Sequence, residues 1–180
     1  MRSVSSPAPE LQLFYDGWAN QQRMLIDALR PLTADQMRLR PAPQMWSVWQ
    51  IAGHMGGARA YWLHDVLGEG DPAVRDLFRV AGTTVPGLPL EDAGWEDDED
   101  HPRTAAEVVD GLERSWAILE GCLGRWTPGD LSVEMSRTRG GRTRTFPRRW
   151  VVYHLLEHDL HHGGEISLIL GSNGLRGLDF

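Results

Sequence analysis

The sequence predicts an all-α fold, an up-down-down-up four-helix bundle with a small β-hairpin before the last helix. Three observations carry that expectation. Four long segments repeat apolar residues at the three-and-four spacing of amphipathic helices. Two of them open on a Ser or Thr followed three residues later by Gln or Glu, the capping box that marks a helix start. One alternating stretch is split by Gly140-Gly141, which suggests a two-residue hairpin.

Taken in order, residues 1–9 are rich in Ser, Pro and Ala and are expected to be frayed. From Glu10 to about Leu29, Leu13, Phe14, Trp18, Met24, Leu25, Ala28 and Leu29 recur at helical spacing, and Pro31 closes the helix. Leu32 to Met45, with Pro41 and Pro43, reads as a connector. Ser47 and Gln50 form the capping box of a second helix over about Val48 to Leu67. Its Gly53, Gly56 and Gly57 lower helix stability, but small residues let a neighbouring helix or a ligand come close.

Residues 68–103 form a long connection. Asp71-Pro72 predicts the start of a short helix to about Val80. Gly82, Pro86, Gly87 and Pro89 follow, then an acidic run from Glu96 to Asp100 that reads as a solvated loop. Connections of this length often serve as lids or binding loops.

Thr104 and Glu107 cap a third helix to about Trp126, with Val108, Leu112, Trp116, Leu119 and Leu123 on one face. Val133 to Phe146 then forms the hairpin, whose arms carry Arg137, Arg139, Arg142 and Arg144, with Arg148 and Arg149 beyond. These arginines suit either charged, aggregation-resistant edges or an anion-holding arm beside a site. The fourth helix is expected from near Pro147 to about Leu170, ended by Gly171. The whole chain, 1–180, reads as one domain without internal repeats.

Composition excludes several functions. A net charge of −7 argues against a nucleic-acid binder. No stretch approaches the roughly 20 apolar residues needed to cross a bilayer, so no membrane partner is expected. Met1 to Leu11 lacks the apolar core of a secretory signal, and a cytoplasmic location is expected. Cys122 is the single cysteine. It can form no internal disulfide and is expected to fill the core.

The chemistry concentrates in histidines. Four of seven crowd the last helix: His154, His158, His161 and His162. Residues four apart on a helix differ by about 40° in direction and about 6 Å in rise. His154 with His158, and His158 with His162, can therefore each aim two imidazoles at one ion. Val151, Leu155, Ile166 and Ile169 flank that face, so the rings point inward, and buried rings need partners. His54, beside the small residues of the second helix, is the best third ligand. His64 is expected near the helix end and exposed, and His101 sits in the acidic loop.

The strings Trp46-Ser47-Val48-Trp49-Gln50-Ile51-Ala52-Gly53-His54 and His154-Leu155-Leu156-Glu157-His158-Asp159-Leu160-His161-His162-Gly163-Gly164-Glu165 resemble the DinB/YfiT-like metalloenzyme superfamily. The resemblance spans essentially the whole chain. It implies His54, His158 and His162 as ligands of one divalent metal ion, with His161 a neighbour outside the ligand set. Many relatives carry Arg-Gly-Gln where this chain has Gly163-Gly164-Glu165, which removes one positive charge and adds a negative one near the site.

Three neutral imidazoles leave an open coordination position, as catalytic ions require. All-nitrogen ligation suits Zn, Ni or Fe. Glu165, three residues past His162, is the first candidate to orient an imidazole from behind. Family members with assigned activities imply an S-transferase that uses a low-molecular-weight thiol, bacillithiol or mycothiol, against an electrophilic small molecule. On this expectation Trp46, Trp49 and the 68–103 connection wall the pocket, and Arg142 and Arg144 pair with carboxylates of the thiol. The alternatives are a hydrolase using metal-bound water, a thiol-dependent isomerase, and a non-catalytic metal-binding stress protein. The resemblance also implies a homodimer formed through helix faces.

Overall fold

The computed structural model describes residues 9–80 and 93–178. Residues 1–8 of the N-terminal segment expected to fray, the connection residues Gly82, Pro86, Gly87 and Pro89, and the side chain of Leu13 lie outside the described residues, whereas Pro9, the last of that segment, is helical.

Helix α1 spans Pro9–Leu29 and ends two residues before Pro31. Its Trp18, Leu25, Ala28 and Leu29 are buried, whereas Phe14, expected on the same face, is 63% exposed. The connector read between Leu32 and Met45 holds a further short helix, α2, Ala34–Met37. Thr33 and Gln36 form its capping box, so the local signal lies in the sequence itself.

Helix α3, Val48–Ala60, begins where predicted. The Gln50 side-chain oxygen accepts from both the Ser47 N–H, at 3.0 Å, and the Ser47 hydroxyl, at 2.8 Å. Instead of continuing as α-helix to Leu67, the chain widens into a π-helical turn, Tyr61–Val66, where the Leu67 N–H reaches the Trp62 carbonyl. Gly68, at φ +68°, then lets the chain reverse. Helix α4, Pro72–Leu77, is capped by the Asp71 side chain accepting from the Ala73 N–H.

The acidic run begins in a 3₁₀ turn, Trp95–Asp97. Helix α5, Ala105–Leu123, carries the expected Thr104 capping box and stops three residues short of Trp126. A short α6, Pro128–Leu131, follows, because Thr127 and Asp130 form a capping box of their own. Strands β1, Glu134–Arg139, and β2, Arg142–Pro147, pair antiparallel around Gly140 and Gly141. Both glycines have positive φ, +54° and +72°, as a two-residue hairpin turn requires. Helix α7, Arg148–Ser172, runs through Gly171 rather than ending there. The left-handed residue is Gly174, at φ +71°.

The described residues thus form a mostly helical fold of seven α-helices with one two-stranded hairpin before the last helix. α3 sits at its centre, packed against α5, α7 and the 3₁₀ turn, while α1 packs on α5 and α7. Among the described residues no helix is long and apolar enough to cross a membrane.

Two packing features fix how α3 meets its neighbours. The Phe78 ring, 1% exposed, fits between glycines: a Cβ at Gly56 would lie 2.5 Å from its Cζ, and one at Gly111 2.9 Å. Arg59 of α3 and Asp159 of α7 form an ion pair buried to 1% on each side. The Arg59 Nη2 donates to Asp159 Oδ2 at 2.7 Å, and the Trp18 indole N–H donates to the same oxygen at 2.6 Å. Three helices are tied together by one carboxylate whose partners satisfy it in a dry place.

Candidate metal centre

The i, i+4 spacing of α7 sets His158 and His162 on one face, with ring centroids 4.4 Å apart. α3 crosses that face and delivers His54, whose ring is 4.9 Å from His158 and 5.2 Å from His162. One nitrogen from each of the three rings lies within 4.8 Å of the other two. His54 Nε2 and His158 Nε2 face each other at 3.1 Å, close to the roughly 3.3 Å between nitrogens sharing a tetrahedral zinc at about 2.0–2.1 Å each.

The outer nitrogens of two rings are held by carboxylates. His54 Nδ1 is 2.6 Å from Glu96 Oε1, and His162 Nδ1 is 2.7 Å from Glu165 Oε2. A carboxylate accepts only, so it fixes the proton on Nδ1 and turns the Nε2 lone pair inward. His158 Nδ1 is buried with no partner. Burial, then the neighbouring His162, His54, His154 and Arg59, pushes the His158 imidazole down to about 2. Burial also holds His162 below its usual value, against the pull of Glu165. Neutral rings converging with lone pairs inward are what a divalent cation needs, so the donor set fits such an ion.

Glu96 is the residue that sequence reasoning missed. It belongs to the run that reads as a solvated loop, yet its side chain is only 15% exposed. Trp95 anchors it: this ring packs over Gly53, where a Cβ would meet it at 3.2 Å, and its indole N–H donates to the Leu77 carbonyl at 2.8 Å. Gln50 completes the hold. Its amide donates to the Glu96 carbonyl at 2.8 Å while its oxygen caps α3. A tryptophan inside a polar, acidic run was the available signal, since such a ring seldom faces water without a neighbour.

The other expected residues divide. Trp46 stands over the centre, its ring 4.8 Å from His54 and 6.5 Å from His162. Trp49 does not reach the pocket; it is 1% exposed in the core, because the first turn of α3 aims it inward. Glu165 is at His162 as anticipated, and it also lies 3.4 Å from the exposed His161. His154 stands apart from the three nitrogens, stacked on Trp150 with ring planes 12° apart. His64 pairs with Asp65 and is half-buried rather than exposed, whereas His101 is exposed beside Asp98. Cys122 is buried, and burial pushes its thiol up to about 11.

A cavity of about 410 Å³ opens from the centre, bounded by His54, His158, Glu96, Asp97, Arg137 and Arg139 among others. Arg142 and Arg144, expected to hold carboxylates of the thiol, line an adjoining cavity of about 740 Å³. The first strand of the hairpin lies nearer the histidines, so Arg137 and Arg139 border both spaces. Asp97 has its carboxyl raised by burial, with the Glu96 charge adding to it and the Gly94 N–H opposing.

A family model described as the DinB superfamily matches residues 18–166. Among solved structures, a DinB-like protein from Bacillus cereus ATCC 10987 superposes with a TM-score of 0.62 at 20% identity, covering 93% of this chain and 95% of that one. A conserved protein from Enterococcus faecalis gives a TM-score of 0.65 at 16% identity, covering 89% and 97%. At such identities the likeness is one of fold. No curated protein matches the chain.

Proposed function

The chain belongs to the DinB superfamily, and from that premise we propose that it is a metal-dependent enzyme in which His54, His158 and His162 hold one divalent ion. The observation that carries this reading is the convergence of three imidazole nitrogens within 4.8 Å, two of them backed by carboxylates. The four long helices, α1, α3, α5 and α7, are read as its four-helix bundle.

The proposed reaction is transfer of a low-molecular-weight thiol, such as bacillithiol or mycothiol, to an electrophilic small molecule. A bound divalent ion supplies Lewis acidity that favours the thiolate over the thiol. The protein's own residues do the rest. Glu96 and Glu165 keep Nδ1 of His54 and His162 protonated and the rings aimed. Trp46 covers one side of the centre and excludes water. Asp97, in the same cavity and with a raised carboxyl, takes the proton that the incoming thiol loses. The sulfur then forms its bond to the electrophilic carbon, and the leaving group departs with the bonding pair. Cys122, buried and with its thiol pushed up to about 11, is not the nucleophile.

The test is elemental analysis of purified wild type beside His158→Ala, followed by titration of candidate thiols into metal-loaded protein. One equivalent of metal in wild type, less than a tenth in the variant, and a spectroscopic change with one thiol support the reading. Equal metal in both proteins sinks it. The two cavity carboxylates, Glu96 and Asp97, favour a second reading, hydrolysis with Asp97 taking the proton from water. Turnover without any thiol selects that one.

A further inference from the structure

The hairpin is built to gather positive charge on one side. Arg137 pairs with Arg144 and Arg139 with Arg142 in the strand register. Paired residues share a face, and alternation brings positions two apart to that face as well. All four guanidinium groups therefore stem from one face of β1 and β2. The opposite face carries hydroxyl contacts between Ser136 and Thr145 and between Thr138 and Thr143, and its one charged residue is the acidic Glu134 at the end away from the turn. Like charges directly opposite each other destabilise a strand pair, and this chain as a whole is acidic, at −7. The concentration runs against both tendencies.

The charged face looks onto the cavity of about 740 Å³, whose floor is aromatic. Trp150, 41% exposed, lies 4.9 Å from Phe146 and 5.6 Å from Trp62 between ring centroids. Arg137 is already engaged. Its Nε donates to the Tyr61 hydroxyl at 2.7 Å, and its guanidinium rests 4.7 Å from the Trp62 ring centre. Arg142 and Arg144 have no ion pair among the described residues. From this floor the rings lead to the histidines: Trp62 is 5.1 Å from His154, and His154 is 6.1 Å from His158. The joined cavities thus have two electrical ends, with Glu96 and Asp97 at the histidine end and arginines at the hairpin end.

We propose that the hairpin cavity is a binding subsite for an organic anion, a molecule with a flat apolar body and one or more carboxylates, held by Arg142 and Arg144 over Trp150 and Phe146. Guanidinium forks match carboxylates in geometry as well as charge, and the ring floor selects an organic body over a bare inorganic ion. The proposal deepens the metal-enzyme reading and rests on it for which end of the ligand reacts; the subsite itself binds without the ion.

Isothermal titration with phthalate as probe tests it, using wild type, Arg142→Gln/Arg144→Gln, Arg149→Gln and His158→Ala, with circular dichroism to verify each fold. Phthalate should bind wild type and His158→Ala alike, and the double variant at least about tenfold more weakly. Arg149→Gln should bind as wild type, and binding should fall as salt rises. Dimethyl phthalate binding as well as phthalate, inorganic phosphate binding more tightly, or a double variant equal to wild type each overturn the proposal. Phthalate binding to a protein that takes up no metal would sink the metal reading and leave the subsite standing. Metal uptake without phthalate binding does the reverse.

Discussion

Glu96 Oε1 stands 2.6 Å from His54 Nδ1, although 42 residues of chain separate them. The contact makes a segment outside the long helices part of the centre. Glu96→Gln removes the charge but keeps the shape, and Glu96→Ala removes both. Metal affinity should fall about 10- to 100-fold, more for Ala than for Gln, with the fold intact. Chelator competition measures it. Unchanged affinity in both variants would show that Glu96 only fastens the loop.

The buried Arg59–Asp159 pair carries a stability prediction. Asp159→Ala strands a guanidinium that is 1% exposed and also frees the Trp18 indole N–H. The loss should be about 3–5 kcal/mol. Arg59→Met combined with Asp159→Leu should recover part of it, because no charge is then left unpaired. Urea denaturation at neutral pH compares the three proteins.

Glycine substitutions should separate by place. Ala at Gly56 puts a Cβ 2.5 Å from the buried Phe78 ring, and overpacking of this kind costs about 1–3 kcal/mol. At the exposed Gly121 of α5 a Cβ meets nothing within 4 Å. There the helix preference for Ala adds up to about 1 kcal/mol of stability. Denaturation midpoints moving in the same direction for both would contradict the packing described.

The metal-stripped protein should lose stability in acid. His158 is held at about 2, against 6.5 when unperturbed. Between these values the unfolded chain binds a proton that the folded chain does not. Stability therefore falls as pH drops below about 6.5, by up to about 1.4 kcal/mol per pH unit for each such proton. Urea midpoints between pH 7 and pH 4 should slope downward, and His158→Gln should flatten the slope. An identical slope in the variant assigns the effect elsewhere.

Cys122 should resist thiol reagents. Its thiol is raised from 9.0 to about 11, by burial first and the Glu69 charge second. At pH 8 the thiolate fraction is then about 100-fold below that of an ordinary cysteine. An aromatic disulfide reagent should label the native protein at least that much more slowly than the urea-unfolded chain.

The parts of this structure legible in the sequence are those decided locally. Ser47 with Gln50 and Thr104 with Glu107 announce the starts of α3 and α5 because a capping box closes within four residues. The Gly140-Gly141 turn was legible for the same reason. His158 and His162 share a face by helical period alone, while His54 needed the resemblance as well as the small residues around it. Glu96 was not legible, since its position depends on Trp95 finding Gly53 and on Gln50 reaching its carbonyl, contacts between distant segments. Trp49 and Trp46 are three residues apart and equally apolar. Only the docking of α3 decides that one is core and the other stands over the histidines. In the hairpin, alternation puts four arginines on one face, but which strand lies nearer the histidines follows from how that hairpin seats on the body.

The π-helical turn at Tyr61–Val66 takes one more residue per turn than the α-helix it prolongs. Rewinding the same residues as ordinary α-helix would turn the chain that follows by about 100°. Asp65 would then part from Arg75. One wall of the chamber is therefore indexed by the winding at a single point, as a key is by the depth of one cut. A change of winding there reshapes the chamber at a stroke, while the three imidazoles, held on α3 and on α7, stay where they are.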